Sequence, residues 1–311
     1  MPKRKPSSSL YHPHHWPMWV GVALLWALVR LLPWRWLVRL GEGVGRLLHP
    51  LARERRRIAE TNIRLCFPEL DEKARQRLVK DHFRAMGAAL FETPFGWWAT
   101  DEQLASLEHV EGLEHLQEAL AQGKGVLLLS AHFTSLEICG RLILRHQPLA
   151  AMYRANQNPV VEYFFRRNRE RHCTRAIRRD QAKEVIRTLR QGEVVWYAPD
   201  QAFKTRASVM VPFFGQLAAT NPATSRLARI TGAPVMPFFG YRLPGNQGYR
   251  LVIHPPLEDF PGETPEADAT RINQVIEQAI REAPEQYFWT HRRFKYKKCW
   301  GLPDPYRSHL D

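Results

Sequence analysis

Short apolar runs alternate with amphipathic helical patterns from residue 125 onward, and this alternation limits the folds open to the chain. Four runs have the length and composition of buried strands, and they lie at 125–130, 193–198, 234–239 and 249–253. The last helix is expected to begin at Thr264 and Pro265, because a capping residue and a proline precede apolar residues at helical spacing. The pattern predicts an α/β fold whose mixed central sheet is flanked by helices.

The region before the sheet is predicted to be helical. Residues 51–95 carry a helical pattern, and Phe67 and Pro68 interrupt it, so we expect two helices there. The apolar block at 94–98, which reads PFGWW, predicts a turn after the second helix.

The amino-terminal segment has the composition of a membrane anchor. After a basic start, an uncharged run extends over 11–29, becomes strongly apolar at Trp16 and ends before Arg30. The next stretch, LLPWRWLVRL at 31–40, mixes Trp, Leu and Arg as helices in the headgroup layer do. We predict that residues 1–45 anchor the chain, as a short span or an interfacial hairpin. A cleaved signal peptide and a buried core helix are the alternatives.

The charge balance points to an anionic partner. Lys and Arg total 45 against 31 Asp and Glu, which gives a net charge of +14. A field of this sign favours nucleic acid, an anionic membrane, a phosphorylated substrate or an acidic carrier protein. The four cysteines form no C-x-x-C pair, so we expect reduced thiols in a cytoplasmic setting, and two disulfides in an exported protein are the alternative.

His132 and Glu137 form the most informative local pair. His132 follows the first predicted strand, and Glu137 lies in the opening turn of the next helix. We expect the carboxylate to accept a hydrogen bond from one imidazole nitrogen, so that the other nitrogen acts as a general base toward a hydroxyl. The carboxyl end of a strand is also where open α/β sheets bind ligands. A structural histidine beside a Glu that serves the helix amino end is the alternative.

Several segments together resemble a known family. The segment SAHFTSLE at 130–137 resembles the H-x-x-x-x-[D/E] block of glycerolipid-type acyltransferases, and three later segments resemble that family's further blocks in the same order. They read MYRANQNP at 152–159, GEVVWYAPDQ at 192–201 and GAPVMPF at 232–238. The segment PEQYFWTHRRFK at 284–295 resembles the closing segment of the Kdo-dependent lipid A secondary acyltransferases of Gram-negative bacteria. Within that branch the chain is most similar to the lauroyltransferases. The likeness runs from the amino-terminal anchor to about Lys295.

The resemblance implies an activity and a location. A fatty acyl group, with lauroyl expected, would pass from acyl carrier protein to a hydroxyacyl chain of a Kdo-bearing lipid A precursor. His132 would take the hydroxyl proton and Glu137 would stabilise the imidazolium, so no protein nucleophile, metal or cofactor is expected. Residues 46–311 would form the acyltransferase domain. This domain would face the cytoplasm at the inner membrane.

Five further residues are predicted to bind substrate, and they are Arg154, Arg166, Arg167, Asp200 and Arg292. By resemblance, Arg154 binds a phosphate or steadies the oxyanion, although a solvated loop arginine is the alternative. Asp200 ends an apolar strand, where a carboxylate is costly unless paired, so it anchors Arg154 or another site cation, or caps the next turn. The other three arginines belong to basic tracts that suit phosphates, Kdo carboxylates or an acidic carrier, or that solvate a helix.

Two other functions fit parts of the pattern. The same dyad would serve an enzyme that acylates a lysophospholipid or a mannosylated lipid. A basic nucleic-acid-binding protein is the non-enzymatic alternative. The apolar amino-terminal segment argues against it, and the sequence has no helix-turn-helix, RNA-recognition or zinc-finger signature. We therefore predict a membrane partner and no nucleic acid.

Overall fold

The computed structural model describes residues 10–205 and 207–306, and the basic start of the predicted anchor, Lys3 to Lys5, lies outside them. The α-helices of the described chain are α1 (Trp16–Leu31), α2 (Trp34–Leu51), α3 (Arg53–Cys66), α4 (Glu72–Trp98), α5 (Asp101–Ala105), α6 (Leu113–Ala121), α7 (Leu136–Ile143), α8 (Pro159–His172), α9 (Ala182–Arg190), α10 (Ala223–Thr231) and α11 (Pro265–Glu282). The strands are β1 (Glu108–Glu111), β2 (Val126–Leu129), β3 (Leu149–Tyr153), β4 (Arg175–Arg178), β5 (Val194–Tyr197), β6 (Val209–Phe213), β7 (Gln216–Thr220), β8 (Val235–Arg242) and β9 (Tyr249–Ile253).

Seven strands form the central sheet in the order β1-β9-β8-β2-β5-β3-β4. Neighbours are parallel except β8 and β9, which pair antiparallel, and β6 and β7 form a separate antiparallel hairpin. The sheet is therefore mixed, as predicted. All four predicted buried strands are present, as β2, β5, β8 and β9.

The sheet is covered by apolar side chains on both faces, which explains why the central strands read as uninterrupted apolar runs. Along β2, Leu127 and Leu129 belong to one buried cluster and Val126 and Leu128 to another, because successive side chains point to opposite faces. The first cluster contains the buried apolar stripe of α11, whose first turn is capped by Thr264 as predicted. The second contains the buried residues of α7 and the carboxyl half of α4.

The carboxyl end of α4 differs from the prediction. The block at 94–98 continues the helix to Trp98 instead of forming a turn, with Pro94 inside it. Phe91 and Phe95 are buried in the second cluster. This packing offsets the cost of a proline in a helix interior.

The amino-terminal helices lie against the rest of the chain. A Cβ added at Gly41 or Gly45 would come within 2.6 and 2.1 Å of backbone atoms of α4, so α2 and α4 approach as closely as glycine allows. The domain boundary predicted at residue 45 falls inside α2 and stays a prediction. Within the described part of the chain, no helix combines the length and apolarity that a membrane crossing requires.

Candidate active site

The site lies at the carboxyl ends of two neighbouring parallel strands. In the register of β2 and β5, Leu129 is paired with Tyr197. His132 and Asp200 each follow their paired residue by three positions, so the two chains leave the sheet side by side. The carboxyl edge of an open α/β sheet is the usual place for ligands, and the edge brings these two side chains together.

The carboxylate of Asp200 holds His132 by two hydrogen bonds. The imidazole Nδ1 is 2.6 Å from Oδ1, and the His132 main-chain N–H donates to Oδ2 over 3.1 Å. Asp200 is 1% exposed, whereas the His132 side chain keeps 34% of its surface. Because Nδ1 is engaged, Nε2 is the nitrogen left to accept a proton from a substrate hydroxyl.

The charges of this pair stabilise each other. Burial by itself lowers the pKa of His132, but the charge and hydrogen bond of Asp200 outweigh it, and the imidazole pKa is raised from its usual value. For Asp200, burial by itself would raise the pKa, because it disfavours the charged carboxylate. The charge of His132 and the hydrogen-bond donors around the carboxylate nevertheless hold this pKa below its usual value. The carboxylate therefore remains ionised while the imidazole gains basicity.

The expectation that His132 donates a hydrogen bond to Glu137 is wrong. Glu137 instead pairs with Arg169 of α8, and both side chains are largely buried. The reason is geometric: Glu137 lies in the first turn of α7 and points toward α8, whereas Asp200 extends from the adjacent strand directly to the imidazole. The charges of Glu137 and Arg169 still act on the pKa of His132, so a catalytic role for Glu137 stays a prediction.

Asp200 therefore has one of the roles that its sequence position allows. It pairs with a group of the site, and its partner is His132 rather than Arg154. Arg154 follows β3 as an exposed residue and, among the described residues, has no ion-pair partner. Its predicted role toward a phosphate or the oxyanion stays a prediction.

Among the described residues, the other predicted substrate-binding arginines have hydrogen bonds or ion pairs with groups other than His132 and Asp200. Arg166 and Arg167 are exposed on α8, where Arg166 is 3.8 Å from Glu170 and Arg167 donates to the Tyr163 hydroxyl. Arg292 is also exposed and forms a 3.1 Å ion pair with Glu54 of α3. These contacts are compatible with a solvated surface and with substrate binding.

The closing segment supplies a residue of the site that the sequence did not identify. The Tyr287 hydroxyl donates to Asp200 Oδ2 over 3.0 Å, and the ring is buried. Two main-chain hydrogen bonds hold this segment beside His132. The Thr134 N–H donates to the Gln286 carbonyl, and the Phe288 N–H donates to the His132 carbonyl. Tyr287 lies in the segment that carried the family resemblance, but no spacing rule links it to Asp200.

A cleft opens beside Glu137 and Arg169. It encloses about 560 Å³ of space, the open solvent at its mouth included. Its walls are mainly apolar and come from α7, α8, β3, β5 and the end of α4. An apolar cleft with a few charged groups at one end suits a ligand with a hydrocarbon chain and a polar reacting group.

A cysteine nucleophile does not fit the site. Cys139 is buried in α7, and burial raises the pKa of its thiol to about 12. Its thiolate is therefore scarce at neutral pH, and reactive cysteines need the opposite shift. The arrangement instead supports a general base that activates a hydroxyl of the substrate.

Replacing Tyr287 with phenylalanine tests the link between the closing segment and the base. Asp200 would lose one donor, its carboxylate would become more basic, and the pKa of His132 would rise. We expect the acidic limb of the pH profile of kcat/KM to move to higher pH, with a change in maximal rate of about tenfold or less. An unmoved acidic limb with a normal melting temperature would leave Tyr287 a packing residue.

Comparison with known proteins identifies the family. Residues 2–296 match the family described as bacterial lipid A biosynthesis acyltransferase. The chain is 39% identical to the lipid A biosynthesis lauroyltransferase of Escherichia coli K12 over 96% of this chain and 98% of that protein. It is 37% identical to the palmitoleoyltransferase of the same organism over 94% and 96%, and 31% identical to its myristoyltransferase over 96% and 93%. The chain is thus an acyltransferase and belongs to the bacterial lipid A biosynthesis acyltransferase family.

Proposed function

We propose that the protein is a lipid A secondary acyltransferase, which transfers a fatty acyl group from acyl carrier protein to a hydroxyacyl chain of a Kdo-bearing lipid A precursor. The observation that carries the proposal is the His132–Asp200 pair, which engages Nδ1 and leaves Nε2 to act as the base. An apolar cleft begins at Glu137, five residues after His132. The names of its relatives support lipid A as the acceptor. Lauroyl is the acyl group that we expect, since a lauroyltransferase is among the most similar relatives.

The proposed reaction is a direct transfer. His132 Nε2 takes the proton of the acceptor hydroxyl as its oxygen attacks the thioester carbonyl, and a C–O bond forms. The tetrahedral intermediate then breaks its C–S bond, and the departing thiolate takes the proton from the imidazolium. Asp200 keeps the required tautomer and stabilises the imidazolium charge, so no acyl-enzyme is needed.

We assign Glu137 and Arg169 to the polar end of the cleft. The guanidinium of Arg169 pairs with Glu137 and lies 5.3 Å from the centre of the Tyr153 ring, so it is held in place from two sides. A guanidinium has five N–H donors, and Glu137 does not use them all. We propose that a remaining donor stabilises the oxyanion of the tetrahedral intermediate.

An assay with purified components tests the function. Acyl carrier protein loaded with a lauroyl chain would be incubated with the enzyme and with one of three acceptors: a Kdo-bearing lipid A precursor, a lysophospholipid or a mannosylated lipid. We expect mass spectrometry to find one added acyl chain on the lipid A precursor. Turnover confined to either of the other acceptors would overturn the proposed substrate. An acyl-coenzyme A donor that works equally well would overturn the carrier protein as donor.

We also propose that α1 and α2 bind the cytoplasmic face of the inner membrane. These helices expose large apolar side chains to solvent, among them Trp16, Leu24, Trp26, Trp36 and Leu40. Arginines lie next to the exposed rings, with Arg30 5.8 Å from the Trp26 ring and Arg39 5.4 Å from the Trp36 ring. Exposed indoles beside basic groups suit the boundary between acyl chains and anionic headgroups.

A double substitution tests this surface. Replacing Trp26 and Trp36 with serine removes two exposed indoles and should lower binding to phosphatidylglycerol vesicles by at least about tenfold in sedimentation assays. Trp300→Ser is the matched control, because Trp300 is 50% exposed and lies outside these helices. Equal binding by the double variant and the control would contradict the assignment.

A further inference from the structure

One face of α7 forms a wall of the cleft, and its residues differ greatly in size. Glu137, Gly140 and Arg141 of α7 and Leu144, the residue that caps its end, stand at positions i, i+3, i+4 and i+7 and all line the cleft. The opposite face of α7 is buried. Ile138 packs there against α4, where a Cβ added at Gly96 would lie 3.3 Å from the Ile138 Cα. The helix is therefore held firmly in place, and its cleft face cannot shift without disturbing the core.

Gly140 leaves an opening in this wall. A Cβ built on Gly140 meets no heavy atom within 4 Å, although the residue lines the cleft. By contrast, a Cβ on Gly240, which faces the buried side of α7, would collide with the Cys139 side chain at 2.4 Å. Close packing therefore accounts for the glycine at 240 and does not account for the glycine at 140.

The polar groups of the cleft lie at two places along α7. Glu137 and Arg169 stand at one end, beside the first turn of α7, which is the end of this helix that is nearer to His132 along the chain. Arg141 and His172 line the cleft farther along, and Arg141 is fixed by a 2.5 Å ion pair with Asp101. In the described part of the chain, Arg141 Nε and His172 Nε2 are already buried there without a hydrogen-bond partner, and a hydrocarbon chain that reached these groups would offer them none. The apolar part of the cleft therefore has a limited length.

We propose that Gly140 determines the length of the acyl chain that the cleft accepts. The inference rests on the proposed function, and it concerns the hydrocarbon part of the acyl donor. Gly140 lies three residues beyond Glu137, just under one helical turn, or about 4.5 Å along the axis of α7. A chain whose carbonyl carbon is beside His132 passes this position on its way into the cleft. The absent side chain leaves the space through which the longer chain extends.

A graded series of substitutions tests the inference. Gly140→Ala and Gly140→Leu add one and four carbons to the wall in a helix interior, where both residues are favourable. Donors with saturated chains of ten, twelve, fourteen and sixteen carbons would compete in one reaction, and product masses would give the ratios of kcat/KM. We expect the preferred length to fall from wild type to Ala to Leu. For Gly140→Leu, the kcat/KM for the longest donor chain divided by the kcat/KM for the shortest should drop by at least about tenfold relative to wild type.

The control and the outcomes separate this inference from the proposed function. Gly43→Leu is the matched control, because Gly43 lies in a helix interior of α2 and a Cβ there also meets nothing within 4 Å. For this control, the ratios of kcat/KM among the four donor chain lengths should equal those of wild type. A wild-type enzyme that transfers acyl chains, combined with unchanged ratios in Gly140→Leu, would overturn the role of Gly140 alone. If wild type transfers no acyl chain from any donor, the proposed function itself fails.

Discussion

Replacing His132 with alanine is expected to lower the kcat of acyl transfer by about 10²–10⁴-fold, the usual contribution of a general base. The substitution removes the nitrogen that takes the hydroxyl proton. The fold should survive, because the ring retains a third of its surface in solvent, at 34%. Steady-state rates, melting temperature and vesicle binding would be measured together. Only the rates should change.

His109→Ala is the matched control for this experiment. His109 is exposed on β1, at the far edge of the sheet from β5, and its loss should leave kcat within error of wild type. Near-normal turnover by His132→Ala would eliminate the base mechanism.

Replacing Asp200 with asparagine should cost almost as much activity, about 10²–10⁴-fold. The amide has no negative charge to stabilise the imidazolium, and its NH₂ group can hold the wrong imidazole tautomer. The residual activity should have its acidic limb at lower pH than wild type, because the main group that raises the pKa of His132 is gone. This shift is opposite to the one expected for Tyr287→Phe.

The same measurement on Glu137→Gln distinguishes the two carboxylates. Glu137 pairs with Arg169, so the loss of its charge should lower kcat. It should move the acidic limb of the pH profile less than Asp200→Asn does. If Glu137→Gln moved the limb and Asp200→Asn did not, Glu137 would be the partner of the imidazole in the working enzyme. A full set of profiles from pH 5 to 9 would decide between these results, since imidazole in peptides titrates near pH 6.5.

Much of the sheet could be predicted from the chain because its central strands are buried on both faces. The runs that became β2, β5, β8 and β9 are nearly continuous in apolar residues, and this composition is local and readable. The outer strands β1 and β4 read EHVE and RAIR, and half-exposed polar sequences of four residues carry no such signal. Pro94 predicted a turn, yet α4 passes through it because tertiary packing prevailed over local preference.

The sequence by itself determined the family, the α/β class and the position of His132 at the end of a strand, since each depends on motifs or periodicities within a short stretch. Only the tertiary structure decided which carboxylate meets the imidazole. Asp200 lies 68 residues from His132, and the parallel register of β2 with β5 brings them together. Glu137 is five residues away and is turned toward Arg169 by the rotation of α7. The physical reason is that local geometry brings together only residues that are close in the sequence. Strand pairing and helix packing also bring together residues that are far apart, and they decide which carboxylate reaches the imidazole.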